Sequence, residues 1–103
     1  MKLNELRYFI AVAEERHFGR AAQKCFISQP ALSIGIKNLE ASMDVALFER
    51  TTNEVLLTPE AEKALPKARR IFELVDEMLS LSKESDSIEG RFNLGIIFTI
   101  APY

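Results

Sequence analysis

Hydrophobic positions near the start of the chain recur at helical spacing in two segments. In the first segment they fall three or four residues apart, which predicts an amphipathic helix with Asn4 as its N-cap. Its apolar positions are Leu3, Leu6, Phe9, Ile10, Val12 and Ala13. After the polar residues 14–17 the same spacing returns for barely two turns, which predicts a short second helix. Its apolar positions are Phe18, Ala21, Ala22 and Cys25.

A third helix is predicted to begin near residue 28. Ser28 is a suitable N-cap, and Pro30 falls in the first turn, where a missing N–H costs nothing. One face of this helix is apolar and comprises Ala31, Leu32, Ile36, Leu39 and Met43. The opposite face comprises Gln29, Ser33, Lys37 and Glu40, together with Gly35.

The pattern changes after residue 44, where two runs rich in β-forming residues flank a polar turn. These runs, residues 45–50 and 55–58, predict a β-hairpin.

Residues 59–86 are predicted to form one long helix, with Pro66 bending it. One apolar row has the alternating four and three spacing of a heptad seam: Ala61, Leu65, Ala68, Phe72, Val75 and Leu79. A second row lies beside it: Ala64, Ile71, Leu74, Met78 and Leu81. Because the combined stripe is too wide for a simple two-stranded coil, we expect it to contact both its own domain and a partner chain.

The last part of the chain is predicted to form a hinge over residues 87–90, followed by an apolar strand over residues 91–103. A lone strand cannot bury itself. We therefore expect the chain to be a fragment, with this strand the first of a truncated further domain.

The charge distribution and composition exclude several kinds of functional site. The net charge is −2, and the acidic excess falls within residues 59–90, so a surface that binds polyanions must lie in the first half. With one cysteine and one histidine, a disulfide framework and an ordinary zinc site are excluded. No catalytic set or phosphate-binding glycine motif has a recognisable spacing, so neither an enzyme nor a cofactor is expected. No apolar run is long enough to span a membrane, which favours a cytoplasmic location.

The elements together predict a mainly α fold, a winged helix-turn-helix over residues 1–58 followed by a long dimerisation helix. The third helix of such a fold can enter the major groove of double-stranded DNA. Its Ser28, Gln29, Ser33 and Lys37 offer hydrogen bonds to phosphates and base edges, and Pro30 and Ala31 offer contacts to thymine methyls. In the turn of the hairpin, the groups that can reach the DNA backbone or minor groove are Arg50, Thr51, Thr52 and Asn53.

Five other side chains have competing interpretations. Arg20 is equally suited to a phosphate contact and to a surface salt bridge. For His17, helix capping is favoured over a phosphate contact, and for Cys25, burial as a small apolar residue is favoured over reactivity. Glu14 and its neighbour Glu15 are interpreted as a solvated face rather than a catalytic pair.

Several motifs resemble the N-terminal domain of LysR-type transcriptional regulators, and they span nearly the whole chain. They are the segments at residues 18–22, 27–33, 39–40, 47–50 and 57–58, together with Ile36. Residues 17–26 and 94–103 are more similar to the peroxide-sensing OxyR branch of that family.

The resemblance implies a homodimer paired through residues 59–86, with tetramers common, and an effector domain that begins at residues 91–103. By motif position, Gln29, Pro30 and Ser33 would read bases, while Ser28, Lys37 and Arg50 would hold the DNA backbone or minor groove. Thr99 would lie at the edge of the effector pocket. The redox cysteines of the peroxide-sensing branch belong to the effector domain, so Cys25 is not one of them.

The chain departs from the family pattern at a few positions. Asp44 stands where a glycine usually closes the recognition helix in a left-handed conformation. Ile34 and Gly35 stand where a basic or amide side chain is common, so a direct contact with a base is not expected from either. Pro66 is unusual inside the linker helix.

Two functional classes follow from this sequence. The first is a dimeric, sequence-specific regulator that binds half-sites related by a twofold axis and answers either to peroxide or to a small-molecule effector. The second is a helical interaction or dimerisation module without a role in DNA binding, which the acidic balance and the long amphipathic helix favour. Salt dependence separates them, because only a DNA binder has DNA affinity to lose as salt rises.

Overall fold

The structure is a computed structural model that describes residues 1–50 and 54–82. In chain order its elements are α1 (Leu3–Glu15), α2 (Phe18–Cys25), α3 (Gln29–Met43), β1 (Phe48–Arg50), β2 (Val55–Leu57) and α4 (Pro59–Leu79). Strands β1 and β2 pair antiparallel, with Phe48 opposite Leu57. This is the mainly α, winged helix-turn-helix fold with a long C-terminal helix that the sequence predicts. The chain divides into two compact units, residues 1–69 and residues 70–103.

The core of the first unit lies where α1, α2 and α3 meet the wing. Its largest fully buried side chains are Phe9, Val12, Leu32, Leu39 and Leu47. The Phe48 ring of β1 packs against the rings of Phe9 and Phe18, with centroids 5.7 and 6.1 Å apart. Aromatic packing therefore ties the wing to the first two helices.

Helix α1 begins two residues earlier than its predicted cap implies. The N-cap is Lys2 rather than Asn4, so that prediction is wrong. The acidic side chain in the first turn is the better signal, because the Oε1 atom of Glu5 accepts a hydrogen bond from the Lys2 backbone N–H at 3.2 Å. Glu5 is buried, whereas Asn4 is exposed and donates to the Tyr8 hydroxyl at 3.5 Å.

Two residues of α3 lie on the opposite side from the one predicted. Ala31, assigned to the apolar face, is exposed, and Gly35, assigned to the polar face, is buried. A Cβ atom added at Gly35 would lie 2.6 Å from Cδ2 of Tyr8. Gly35 therefore allows α1 and α3 to approach more closely than any other residue type would permit.

Each of the first three helices is followed by a residue in the left-handed conformation that is not glycine. These residues are Arg16, Phe26 and Asp44, with φ of 54°, 60° and 60°. Asp44 adopts the conformation expected of the glycine it replaces, and its N–H donates to the Glu40 carbonyl at 2.7 Å. The helix ends thus keep their closing hydrogen bonds in a backbone conformation that costs non-glycine residues about 1–2 kcal/mol each.

Thr58 connects the wing to the first turn of α4. Its hydroxyl donates to the Ala46 carbonyl at 2.7 Å and accepts from the Ala61 N–H at 3.1 Å. Its own N–H donates to the Leu47 carbonyl at 3.1 Å. Because the residue is buried, water cannot replace these bonds if the hydroxyl is removed.

Replacing Thr58 with valine is expected to lower the free energy of unfolding by about 1–2 kcal/mol, the usual cost of losing a capping hydroxyl. Valine keeps the shape of threonine but leaves the Ala61 N–H without its acceptor. Urea unfolding monitored by circular dichroism measures the change, and Thr58→Ser, which keeps the hydroxyl, is the control. Equal stability of the valine and wild-type chains would contradict this role.

Helix α4 runs from Pro59 to Leu79. The predicted range extends to residue 86, and residues 83–86 lie outside the described residues, so its end stays a prediction. Pro66 is inside this helix. Since proline has no N–H, the carbonyl of Glu62 lacks its usual helical donor. The bend at Pro66 stays a prediction.

Candidate nucleic-acid interface

The start of α3 is fixed by two local hydrogen bonds. The Ser28 hydroxyl accepts from the Ala31 N–H at 3.2 Å, as the predicted N-cap should. Just before it, the Ile27 N–H donates to the Ala22 carbonyl at 3.0 Å and closes α2. A rigid turn therefore sets where the first side chains of α3 project.

The predicted recognition residues lie together on the solvent side of α3. Gln29, Pro30, Ala31 and Lys37 are exposed, and Ser33 is half-buried. The opposite side of α3 is buried in the core through Leu32, Gly35, Ile36 and Leu39. The helix thus presents an amide, a hydroxyl and an ammonium group from one ridge, a set that can bond base edges and phosphates.

Arg20 makes the surface ion pair rather than standing unpaired. Its Nε lies 3.5 Å from Oε1 of Glu15, and its Nη2 donates to the Glu15 carbonyl at 3.4 Å. The Arg20 side chain remains about 60% exposed. A phosphate contact by Arg20 stays a prediction.

Glu14 is exposed, as the solvated face predicted from the sequence requires, and it also forms ion pairs that the sequence did not indicate. Its carboxylate accepts from Nζ of Lys24 at 2.8 Å and from Nη2 of Arg69 at 3.1 Å. It therefore joins α1 to α2 and to the first half of α4. Partial burial raises the pKa of Glu14, but the bonds to Lys24 and Arg69 outweigh burial and leave that pKa below its ordinary value.

The lowered pKa predicts a stability contribution that acid removes. The contribution is complete above the ordinary glutamate pKa of 4.5 and is lost as the pH falls through the lower folded-state pKa. Because these ion pairs are partly exposed, Glu14→Gln should cost about 0.5–1 kcal/mol at neutral pH and nothing near pH 2. Urea unfolding at several pH values tests this prediction. The control is Asn4→Ala, which changes an exposed side chain of α1 that does not titrate, so its effect on stability should not depend on pH. A pH-independent difference between wild type and Glu14→Gln would rule it out.

The remaining titratable candidates have structural roles. His17 is the N-cap of α2, and its Nδ1 atom accepts from the Arg20 N–H at 3.0 Å. Cys25 is buried, and burial raises the pKa of its thiol. A buried, protonated thiol is a poor nucleophile, so Cys25 acts here as a small apolar residue.

Part of the predicted site cannot be placed. Arg50 belongs to β1 and pairs with Val55, but Thr51, Thr52 and Asn53 lie outside the described residues, as does Thr99. Contacts from the wing and from the effector pocket stay predictions, as do the hinge and strand predicted beyond residue 86.

The predicted dimerisation row on α4 is unevenly exposed. Ala68 is already 2% exposed within the single chain, so little of its surface is left for a partner. Leu65, Phe72 and Val75 are half-buried, and Leu79 is exposed. Exposed members of the adjacent row extend this apolar surface: Leu74, Met78 and Leu81.

Among the helices of the described residues, none combines the length and the apolar character that a membrane span requires.

Sequence reasoning missed two residues that shape this surface. Glu40, placed on the polar face, accepts from the Leu47 N–H at 2.8 Å through Oε2 and so anchors the chain entering the wing. Ile34 is 60% exposed on the same helix as the recognition residues. A charged residue seven positions before its partner gives no local signal of such a bond. The exposure of Ile34 follows from its position four residues after the exposed Pro30.

The arrangement of α2, α3 and the wing has close counterparts. Residues 3–62 match the bacterial regulatory helix-turn-helix protein, lysR family. The chain belongs to this family.

Among LysR-family relatives, a probable hydrogen peroxide-inducible genes activator from Mycobacterium xenopi is 44% identical over 99 residues, covering 95% of this chain. The transcriptional dual regulator OxyR of Escherichia coli is 38% identical across the whole chain. This chain spans 52% of the first relative and 34% of the second. In structure it is similar to the DNA-binding domain of BenM in complex with benA site 1 DNA, with a TM-score of 0.78, 42% identity, and coverage of 86% of this chain and 100% of that one.

Proposed function

We propose that this chain is the DNA-binding part of a LysR-family transcription regulator and that α3 reads double-stranded DNA in the major groove. The observation that carries the proposal is the exposed ridge of α3, where Gln29, Pro30 and Lys37 project from a helix whose other side is fully packed. The likeness to a family member bound to DNA supports it. In this arrangement Gln29, Pro30, Ala31 and Ser33 contact bases, and Ser28 and Lys37 contact phosphates.

Selection from a random-duplex pool at two salt concentrations tests this function without assuming an operator. We expect enrichment of a motif with twofold symmetry whose binding weakens steeply as salt rises, because each phosphate contact releases counterions. If a folded dimer of the chain enriches no sequence even at low salt, an interaction module without DNA binding becomes the better description.

The peroxide-inducible relatives favour a regulator that responds to hydrogen peroxide. The described residues offer no reactive thiol for this role, since Cys25 is buried and its thiol pKa is raised. We therefore assign the response to residues beyond this chain and the DNA reading to α3. Footprinting in the source cells before and after peroxide addition tests the assignment, which a footprint with unchanged half-site spacing and occupancy would contradict.

A homodimer through α4 completes the proposal. Four large apolar side chains between residues 74 and 81 are 42–70% exposed: Leu74, Met78, Leu79 and Leu81. An exposed apolar cluster on a long amphipathic helix favours pairing with a second copy. A pair of chains would carry two α3 helices, which suits an operator with two half-sites related by a twofold axis.

Met78→Asp is expected to convert the dimer to a monomer, because an unpaired carboxylate in an apolar interface is unfavourable. Analytical ultracentrifugation over a range of concentrations measures the change in mass. The control, Lys63→Asp, places the same side chain at an exposed position of α4 away from this cluster. Retention of a dimer in Met78→Asp would place the interface elsewhere.

A further inference from the structure

Ile34 is an apolar side chain on the ridge of α3 that the proposed function leaves without a role. Its side chain is 60% exposed, although α3 is well packed through its buried face. Single exposed apolar residues are common on protein surfaces. The position of this one is what matters, because it lies within the row of residues proposed to face DNA.

The geometry of the helix places Ile34 near the middle of the exposed face. At about 100° per residue, Pro30, Ile34 and Lys37 fall within about 60° of one another. All three are exposed, and the side opposite them carries Leu32 and Leu39 in the core. A duplex that contacts Pro30 and Lys37 therefore also meets Ile34.

The chemistry of Ile34 restricts what it can recognise. Its side chain can neither donate nor accept a hydrogen bond, so it gains nothing from purine or cytosine polar edges. The one apolar group that a base pair presents in the major groove is the C5-methyl of thymine. Ile34 lies about 6 Å along the helix axis from Pro30, so it meets a base pair different from that at the start of the helix.

Resting on the proposed function, we infer that Ile34 is a specificity-determining residue that selects a thymine through its C5-methyl group. Burial of a methyl group against Ile34 favours a T·A pair at one position of each half-site. A cytosine there leaves an exocyclic amine against an apolar side chain, which disfavours that pair.

The test removes single methyl groups from both partners. The duplex selected by the wild-type chain is resynthesised with deoxyuridine replacing each thymidine in turn, which deletes only the C5-methyl. Binding is then measured for the wild type, Ile34→Val and Ile34→Ala. We expect one thymine position to weaken the wild-type complex about three- to fivefold when its methyl is removed. The same deoxyuridine replacement should weaken the complex of Ile34→Val by about the same factor as that of the wild type. It should not weaken the complex of Ile34→Ala.

A matched control and the alternative outcomes separate this inference from the proposed function. Leu3→Ala removes an apolar side chain of similar exposure, 49%, from α1 and should keep the full sensitivity to deoxyuridine. If the selected duplex binds, but each deoxyuridine replacement weakens binding to Ile34→Ala by the same factor as binding to the wild type, the role of Ile34 is refuted. DNA binding by the chain then still stands. If no duplex is selected at all, the proposed function fails and this inference fails with it.

Discussion

Gly35→Ala is expected to lower the free energy of unfolding by about 2–3 kcal/mol, the largest loss of stability predicted for a single added methyl group in this chain. In an exposed helix the same change normally stabilises by about 1 kcal/mol, because alanine is the better helix former. Here the new Cβ would lie 2.6 Å from Cδ2 and 2.9 Å from Cε2 of the Tyr8 ring. Because Cδ2 lies near the base of the Tyr8 side chain, we expect that relieving this clash requires α1 and α3 to move apart in addition to any shift of the ring.

A double-mutant cycle isolates the cause of that loss. In a Tyr8→Ala background the ring is absent, and Gly35→Ala should then stabilise by about 0.5–1 kcal/mol through helix propensity alone. Urea unfolding of the four chains measures the coupling. A loss that persists in the Tyr8→Ala background would show that the backbone at Gly35, rather than the ring, excludes alanine.

Gln29→Ala is expected to weaken binding to the selected duplex by about 1–3 kcal/mol and to relax the base preference at one position of each half-site. The amide of Gln29 is exposed at the first turn of α3 and can pair with both polar groups of an adenine edge. Affinity for random duplex should change little, because that affinity comes from phosphate contacts. Competition binding with selected and random duplexes measures the two losses.

Two variants bracket the Gln29 result. Gln23→Ala removes the same side chain from an exposed position of α2 and should leave both affinities unchanged. Arg50→Ala should weaken selected and random duplexes alike, because an arginine in the wing attracts the backbone whatever the sequence. Equal losses on the two duplexes for Gln29→Ala would remove its role in base reading.

Most of the fold follows from the sequence because its periodic signals are strong. Ser28 and Pro30 mark the start of α3 through side-chain chemistry that acts within one turn, and Pro59 marks the start of α4 in the same way. Asp44 could be assigned a left-handed conformation because the family usually has glycine there. These features depend on residues adjacent in sequence, where local rules suffice.

The features that could not be predicted from the sequence are those that depend on residues far apart in the chain. The burial of Gly35 depends on Tyr8, which lies on another helix, and a glycine carries no polarity from which its face can be read. Glu14 is exposed as expected, but its ion pairs with Lys24 and Arg69 could not be predicted, because these residues converge on it only in the folded chain. A direct base contact by Ile34 was not expected from the sequence, and its exposure, which leaves an apolar contact open, depends on how α3 packs on the core.

The left-handed residues Arg16, Phe26 and Asp44 are three positions at which a substitution could raise the stability of this small domain. Glycine at any of them would relieve backbone strain without touching the core or the ridge of α3, and Phe26, at 89% exposure, has almost no packing to lose. New recognition residues often destabilise the fold that carries them. A lineage that acquired such residues could offset the loss of stability at these three helix ends, which lie outside the ridge of α3.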